Sequence, residues 1–426
     1  MKIDNKLIIG SATSAHQVEG NNKNSDCWIM ENVKDSVWVE PSGVGVDHYN
    51  LYPEDIERMA KASYKAYRFS IEWARVEPQR GVFDQNEIEH YRKMLLCCQK
   101  NNIIPVVTFH HFSSPSWLMS IGGWESEELP ELFAIYCKKV AEELGDLLPY
   151  VCTINEANMR LQIAKLMKNY EKPKADNDSQ TIQVGLNSDA DQFKERYMNR
   201  LATAFKTKAE NIQPFISMAS ARGDELVMQA HMKARQAIKE VSPKTKVGLT
   251  LSLFDYQPVA GGESVCEAEW NDDFRHYLPA LAEDDFLGVQ NYTRKVVDEN
   301  GEIPLSKDIK VTQPGYEFYP EALGHVVTKV AKDWHKPILI TENGAAVDND
   351  EDRVLFIKRA LTGLQACIDA GIDIPMYFYW SLLDNFEWQA GYSQTFGLIA
   401  VNRKTMKRTP KDSFYYLGKI AKTHNI

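Results

Sequence analysis

The chain has no run of about 18 consecutive apolar residues, so nothing in it reads as a membrane-spanning helix. It has no CxxC pair, and its seven cysteines (27, 97, 98, 137, 152, 266 and 367) are odd in number. That usage does not read as a disulfide framework; reduced thiols in a reducing compartment are expected. The opening, MKIDNKLIIGSATSAHQ, has too short an apolar stretch for a signal peptide, and a cytoplasmic protein is expected. In such a chain the sequons at Asn177 and Asn291 are chance matches. Basic runs are also missing. Lys and Arg number 49 against 59 Asp and Glu, for a net charge of −10, a poor basis for binding nucleic acid or anionic membranes. No GxGxxG turn follows the first apolar run, which removes the usual mark of a doubly wound nucleotide-binding sheet.

What is present is a large core. The chain has 426 residues, 44% hydrophobic, with 11% aromatics and nine Trp, a composition that excludes disorder. Eight short apolar, β-branched or aromatic runs recur, at 7–15, 64–73, 103–112, 150–158, 246–253, 286–293, 337–344 and 374–385. They are continuous rather than alternating, as in strands buried on both faces. Amphipathic segments at 53–63, 86–101, 129–146, 223–242 and 351–371 separate most of them. Strands alternating with helices require a parallel sheet, and eight such units make a (β/α)8 TIM barrel with long βα loops. One catalytic domain over residues 1–426 is expected. The polar stretch 159–222 is too long for an ordinary loop after the fourth strand. It reads as an insert on the C-terminal face of the barrel, over the active site.

Polar residues gather where the runs end. The first run leads to Gln17 and Glu19, the second holds Arg68, and the third gives His110 and His111. The fourth gives Asn155 and Glu156, the sixth Gln290, Asn291 and Tyr292, and the seventh Glu342. The eighth gives Trp380, with Glu387 and Trp388 just beyond. In a barrel these ends share the face where active sites are built. A single Glu at a strand end is as often a solvated residue as a reactive one; a convergent set across seven strands is not explained by solubility. Two Glu residues facing one pocket are what glycosidic bond cleavage requires, one protonated and one ionised. Arg68 is expected to keep Glu342 anionic, and the charge of Glu342, with burial, to raise the pKa of Glu156. Gln17, His111, Asn155 and Glu387 can bond sugar hydroxyls, and Trp380 and Trp388 can pack on a sugar face. Adjacent strand residues point to opposite faces, so His110 and His111 do not read as a metal pair, and His110 reads as a buried packing residue. Glu19 reads as a structural partner within the site, and Trp73, Trp117, Trp124 and Trp334 as packing. The chemistry calls for no metal and no organic cofactor.

At these residues the chain resembles glycoside hydrolase family 1, the β-glucosidase family. The likeness runs from about residue 7 to about 418, through SATSAHQVEG, DHYNLYPEDIERM, YRFSIEWARVEPQRG, VVTFHHFSSPSWL, TINEAN, DFLGVQNYTR, ITENG, YWSLLDNFEW and FGLIAVN. The resemblance implies a retaining β-glycosidase acting on a small β-glycoside or oligosaccharide, with Glu342 as nucleophile and Glu156 as acid/base. Arg68 and Tyr292 would contact the nucleophile, and Asn155 the sugar 2-hydroxyl. Gln17, His111, Glu387 and Trp388 would hold the other hydroxyls, with Trp380 under the ring. Ala157 stands where the family has Pro, Phe112 where Trp is usual, and Gln290 where Asn is usual. The presence of Glu156 speaks against the sulfur-glycoside branch. Glu387, Gln394 and Phe396 speak against the phospho-sugar branch. A sugar-binding protein on a degenerate barrel, or a transglycosidase using the same intermediate, are the rival readings. Acceptor preference is expected from 159–222 and the loop near 294–318.

Overall fold

The computed structural model describes residues 1–171 and 188–426. Eight strands carry the fold: β1 (Ile8–Ala12), β2 (Ala66–Ser70), β3 (Ile104–His110), β4 (Tyr150–Ile154), β5 (Lys246–Ser252), β6 (Phe286–Gln290), β7 (Ile338–Asn343) and β8 (Met376–Trp380). Each lies inside one of the eight apolar runs. They are parallel and close into a barrel in which β1 pairs with both β8 and β2.

The continuous runs hide an alternation that the closed barrel uses. Val106, Cys152, Phe286, Leu339, Met376 and Phe378 belong to an inner core enclosed by the strands. Their strand neighbours Val107, Val151, Leu287, Ile338, Ile340 and Tyr377 belong to the larger core under the helices. Both sets are apolar because both faces are buried, so the period of two does not show in hydropathy.

Among the described residues, the longer helices around the barrel include α1 (His48–Lys61), α2 (Gln85–Lys100), α3 (Leu129–Leu144), α4 (Ala221–Val241), α5 (Glu263–Asp273), α6 (Ala322–Val330), α7 (Asp350–Asp369) and α8 (Asp412–Thr423). Several start on side-chain caps. The Asp84 carboxylate accepts from Asn86 N before α2, Ser220 from Gly223 N before α4, and Asn349 from Asp352 N before α7. The first helix begins at His48, ahead of the expected 53–63 segment, with Pro53 inside it. Helices α5, α6 and α8 were not marked by the amphipathic segments read from the sequence. A small sheet (Asp255–Pro258, Arg294–Asp298, Gly301–Glu302) and a hairpin (Ile399–Asn402, Lys407–Pro410) decorate the barrel.

The stretch 159–222 is not one irregular loop. Its described parts include helices at Met159–Glu171 and Ser188–Phe205, and its last residues open α4; residues 172–187 lie outside the described residues. Tyr197, Met198, Leu201, Ala202 and Phe205 meet the core at helical spacing, a pattern masked by the polar residues between them. Arg160 ties the first of these helices down, donating to Trp124 O, Glu125 and Met218 O. All seven cysteines are unpaired. No helix among the described residues is long and apolar enough to cross a membrane.

Candidate active site

The C-terminal ends of the strands bring most of the polar residues into one buried cluster. Glu342 is delivered by an irregularity in β7. Ile340 pairs with Val289 and Glu342 with Gln290, so β7 spends one residue more than its neighbour across Thr341. The same excess appears against β8. Such a bulge re-aims a side chain at the sheet end. The following Gly344 is there for room: a Cβ at this position would sit 1.9 Å from Trp380 O.

Both oxygens of Glu342 are held. Arg68 on β2 donates to Oε1 at 2.6 Å, and the Tyr292 hydroxyl donates to Oε2 at 2.5 Å. Arg68 also donates to Asn155 Oδ1 at 2.6 Å, joining the ends of β2, β4 and β7. Arg68 and Glu342 are both buried, so the pair is weakly screened. Glu156 is the next residue after Asn155, at φ +46° in the left-handed region. Its N–H donates to Thr250 Oγ1 on β5 at 3.0 Å.

Burial, the largest effect, lifts both carboxyl groups above the ordinary range. Glu156 goes well above it, and the charge of Glu342 adds to the rise against the pull of Arg68. Glu342 rises too, but Arg68 and Tyr292 oppose its burial. Arg68, expected to keep Glu342 anionic, pulls in that direction, but burial outweighs it and the group still lies above its ordinary value. The ordering stands, with Glu342 the readier of the two to ionise. Tyr292 is itself pushed well above the ordinary phenol value by burial and by both carboxylates, so it stays a donor.

The residues assigned to the sugar surround this pair. His111 Nε2 meets the Asn155 amide nitrogen at 3.2 Å, and its Nδ1 has no protein partner. Burial holds His111 well below its ordinary pKa, so the ring is neutral. It stacks on Trp380 and Trp388 at ring separations of 5.5 and 6.2 Å. Gln17 donates to Phe386 O at 2.7 Å and to Glu387 at 3.3 Å. With its amide turned to satisfy both its ends, Asn385 donates to Glu387 Oε1 at 2.9 Å and accepts from Gln17 at 3.1 Å. Burial and the nearby Glu342 charge push the Glu387 carboxyl well above the usual range, while Trp380 and Gln17 pull it down. Phe112 packs on His111 and Trp388.

The packing residues fall where expected. His110 bonds Ser114 at 3.0 Å, lies against Trp124, and is pushed down to a pKa of about 3 by burial. Glu19 pairs with Arg75 at 2.8 Å and accepts from Tyr91. Trp73, Trp124 and Trp334 are buried, and the Trp117 indole donates to Glu77 O. No group of three or more His, Cys, Asp or Glu among the described residues is arranged to hold a metal ion.

Sequence reasoning missed several members of this neighbourhood. Tyr316 comes from the loop between β6 and α6; its side chain is 39% exposed, and partial burial, with the charges of Glu156 and Glu387 added, pushes its pKa up to about 12. It belongs to the loop near 294–318 but sits in a Pro-Gly turn, without the strand-end signature that marked the others. His16 stacks on Trp388 at 5.7 Å and pairs with Glu31. Thr250 and Asn385 carried no signal, because a Thr in a strand and an Asn in a loop are ordinary.

Comparison with known proteins points the same way. The model of glycosyl hydrolase family 1 matches residues 2–204 and 273–426. The chain is 27% identical to β-glucosidase A of Thermotoga maritima, covering 100% of this chain and 99% of that protein. It is 28% identical to β-glucosidase A of Acetivibrio thermocellus, covering 99% and 98%. Among solved structures it is similar to β-glycosidase BGL167, with a TM-score of 0.89 at 38% identity over 99% and 98% of the two chains. It is also similar to the β-glucosidase from Thermotoga maritima in complex with cyclophellitol, with a TM-score of 0.80 at 25% identity over 100% and 99%.

Proposed function

The chain belongs to glycosyl hydrolase family 1, and from that premise we propose a retaining β-glycosidase that removes terminal nonreducing β-D-glucosyl residues through a covalent glycosyl-enzyme. The observation that carries this reading is the asymmetry of two buried carboxyl groups. Glu342 has a guanidinium on one oxygen and a phenol on the other, while Glu156, within reach of its charge, is driven to keep its proton.

In the first step a Glu342 oxygen attacks the anomeric carbon as the bond to the leaving oxygen breaks. Glu156 gives its proton to that oxygen. Once Glu342 is esterified its charge is gone, and Glu156 loses the repulsion that helped hold its proton. In the second step Glu156 takes a proton from water, the water oxygen bonds the anomeric carbon, and Glu342 leaves as the carboxylate. The two groups supply proton, base and nucleophile, so atoms balance with water alone. Asn155, fixed by Arg68, is suited to the hydroxyl beside the reacting carbon. His111, with a free Nδ1, and the Gln17–Glu387 pair are suited to the others, with Trp380 and Trp388 as apolar platforms. Tyr316, exposed beside Glu156, is suited to the leaving group. A carboxyl group at Glu387 disfavours a phosphate, which fits an unphosphorylated sugar.

The test is a panel of nitrophenyl glycosides on the wild type and on Glu156→Ala and Glu342→Ala. Both variants lose hydrolysis, and azide restores part of it. The product is the β-azide from the first and the α-azide from the second, read by NMR. The wild type releases the β-anomer first. The same azide anomer from both variants, or α-sugar from the wild type, overturns the assignment.

A further inference from the structure

Glu156 reaches the site from an unusual backbone. It stands one residue past β4 at φ +46°, a region that residues with side chains rarely occupy. Position 157 is Ala, so no ring stiffens the turn from the next residue. Met159 N closes the turn on Glu156 O at 2.8 Å, and one residue of the neighbouring strand ties it to the barrel. Thr250 takes both consecutive N–H groups: Glu156 N donates to its hydroxyl at 3.0 Å, and Ala157 N donates to its carbonyl at 3.0 Å. Two strand positions on, Asn158 brackets Ser252, accepting from its N–H at 3.0 Å and donating to its carbonyl at 2.7 Å.

The Thr250 hydroxyl also reaches the other half of the site. Gln290 on β6 donates to it at 3.3 Å and to Asn155 Oδ1 at 2.7 Å. Thr250 Oγ1 has Asn155 Oδ1 and Ile154 O at 3.4 Å as outlets for its own proton. Asn155 Oδ1 thus lies among Arg68, Gln290 and Thr250, which fixes its amide so that Nδ2 faces His111. Thr250 is fully buried. A single hydroxyl links the backbone of Glu156 to the side chain that shares Arg68 with Glu342.

We propose that Thr250 is a positioning residue for the proton-transfer step: its hydroxyl locks the left-handed turn that aims Glu156, while Arg68 and Gln290 remain to hold Asn155. The proposal rests on the acid/base reading of Glu156. Its signature is selective. A dinitrophenolate leaves without a proton, whereas a phenolate or alkoxide needs the one from Glu156, so a misaimed Glu156 slows only the second kind.

Thr250→Val keeps the branched shape and removes the hydroxyl. Against phenyl β-glucoside its kcat falls about tenfold or more, within the span of general acid catalysis, with KM changed less than about threefold. Glycosylation by dinitrophenyl β-glucoside, read as the burst, is little affected. The alkaline limb of the kcat/KM profile for phenyl β-glucoside moves, and Thr250→Ser returns most of the loss. If Thr250→Val does not fold, Thr250→Ala set against Thr250→Ser makes the same comparison. Equal losses on both leaving groups, or no recovery with Ser, overturn the proposal while leaving the function intact. A wild type inactive on every β-glycoside overturns the function and this proposal with it.

Discussion

Glu156 and Glu342 share the field of one guanidinium, Glu387 lies within reach of the Glu342 charge, and each of the three is raised by burial. The cost of keeping acids out of water is not confined to the pocket. Asp26 is fully buried, with Oδ1 accepting from Ser114 N at 2.8 Å and Cys27 N at 2.7 Å and Oδ2 without a partner. Burial, reinforced by Glu72 and opposed by the two N–H groups and His16, lifts its pKa from 3.8 to about 7. The sign follows from where the proton sits. Between those values the folded chain keeps the proton and the unfolded chain has lost it, so stability falls as pH rises through the window. The slope is at most about 1.4 kcal/mol per pH unit. Asp26→Asn keeps the accepting oxygen and removes the ionisation. Its melting temperature relative to wild type is expected to rise from about pH 4 and level off above about pH 7, as followed by circular dichroism. A constant offset across that range contradicts the ionisation argument.

At the level of the element, the end of β7 shows how packing sets a catalytic position. Gly344 lies against Trp380 O, so Gly344→Ala must displace either the bulge or the end of β8. The expected result is a lower melting temperature and turnover reduced well beyond the loss of folded protein. Gly363, in the middle of α7, is the counter-case: its added Cβ would meet Gly324 atoms at 3.6 and 3.7 Å, an ordinary contact. Gly363→Ala is expected to stabilise by about 0.5–1 kcal/mol in urea denaturation, because Ala favours the helix and leaves the unfolded chain less entropy to lose.

These elements also mark what could be read from sequence. The eight strands were legible because burial on both faces makes each a continuous apolar run, and Glu342 and Glu156 because each interrupts such a run. The bulge at Thr341–Glu342 was not, since it is a property of register against two other strands. The helix Ser188–Phe205 was hidden by charged residues on its outer side. Thr250 looked like any strand residue; its role depends on Glu156 and Gln290 arriving from other strands.

Over the whole molecule, the chain closes on itself through its two ends. Ile3 N donates to His424 O, and Lys2 bridges to Asn425, while Phe414, Leu417 and Ile420 of α8 are buried against the barrel. The hairpin leading into α8 is keyed to α1 by an ion pair: Arg408 donates to both oxygens of the fully buried Asp55, at 3.0 and 2.9 Å. Asp55 also takes His48 at 2.9 Å, and His48 continues through Tyr67 to Thr13, beside β2 and β1. Removing Arg408 takes the two-pronged partner from a buried carboxylate and leaves it only His48 and Arg58, at 2.9 and 3.2 Å; breaking a buried pair costs up to about 3–5 kcal/mol. Arg408→Ala is therefore expected to lower the urea midpoint strongly, with turnover per folded molecule unchanged, because Arg408 lies far from the carboxyl pair in the hydrogen-bond network. Replacing both partners, Arg408→Met with Asp55→Leu, is expected to cost less than the single change, since no charge is left buried. The pH dependence runs opposite to that of Asp26. Burial pushes Asp55 up, but His48 and Arg408 together bring it below the ordinary value of 3.8. Its contribution is present above that value and lost as pH falls through the lowered one. The gap in stability between wild type and Arg408→Ala is expected to hold from pH 8 to pH 5 and to close below pH 4, and a gap that persists in acid means the ion pair is not what joins the hairpin to the barrel.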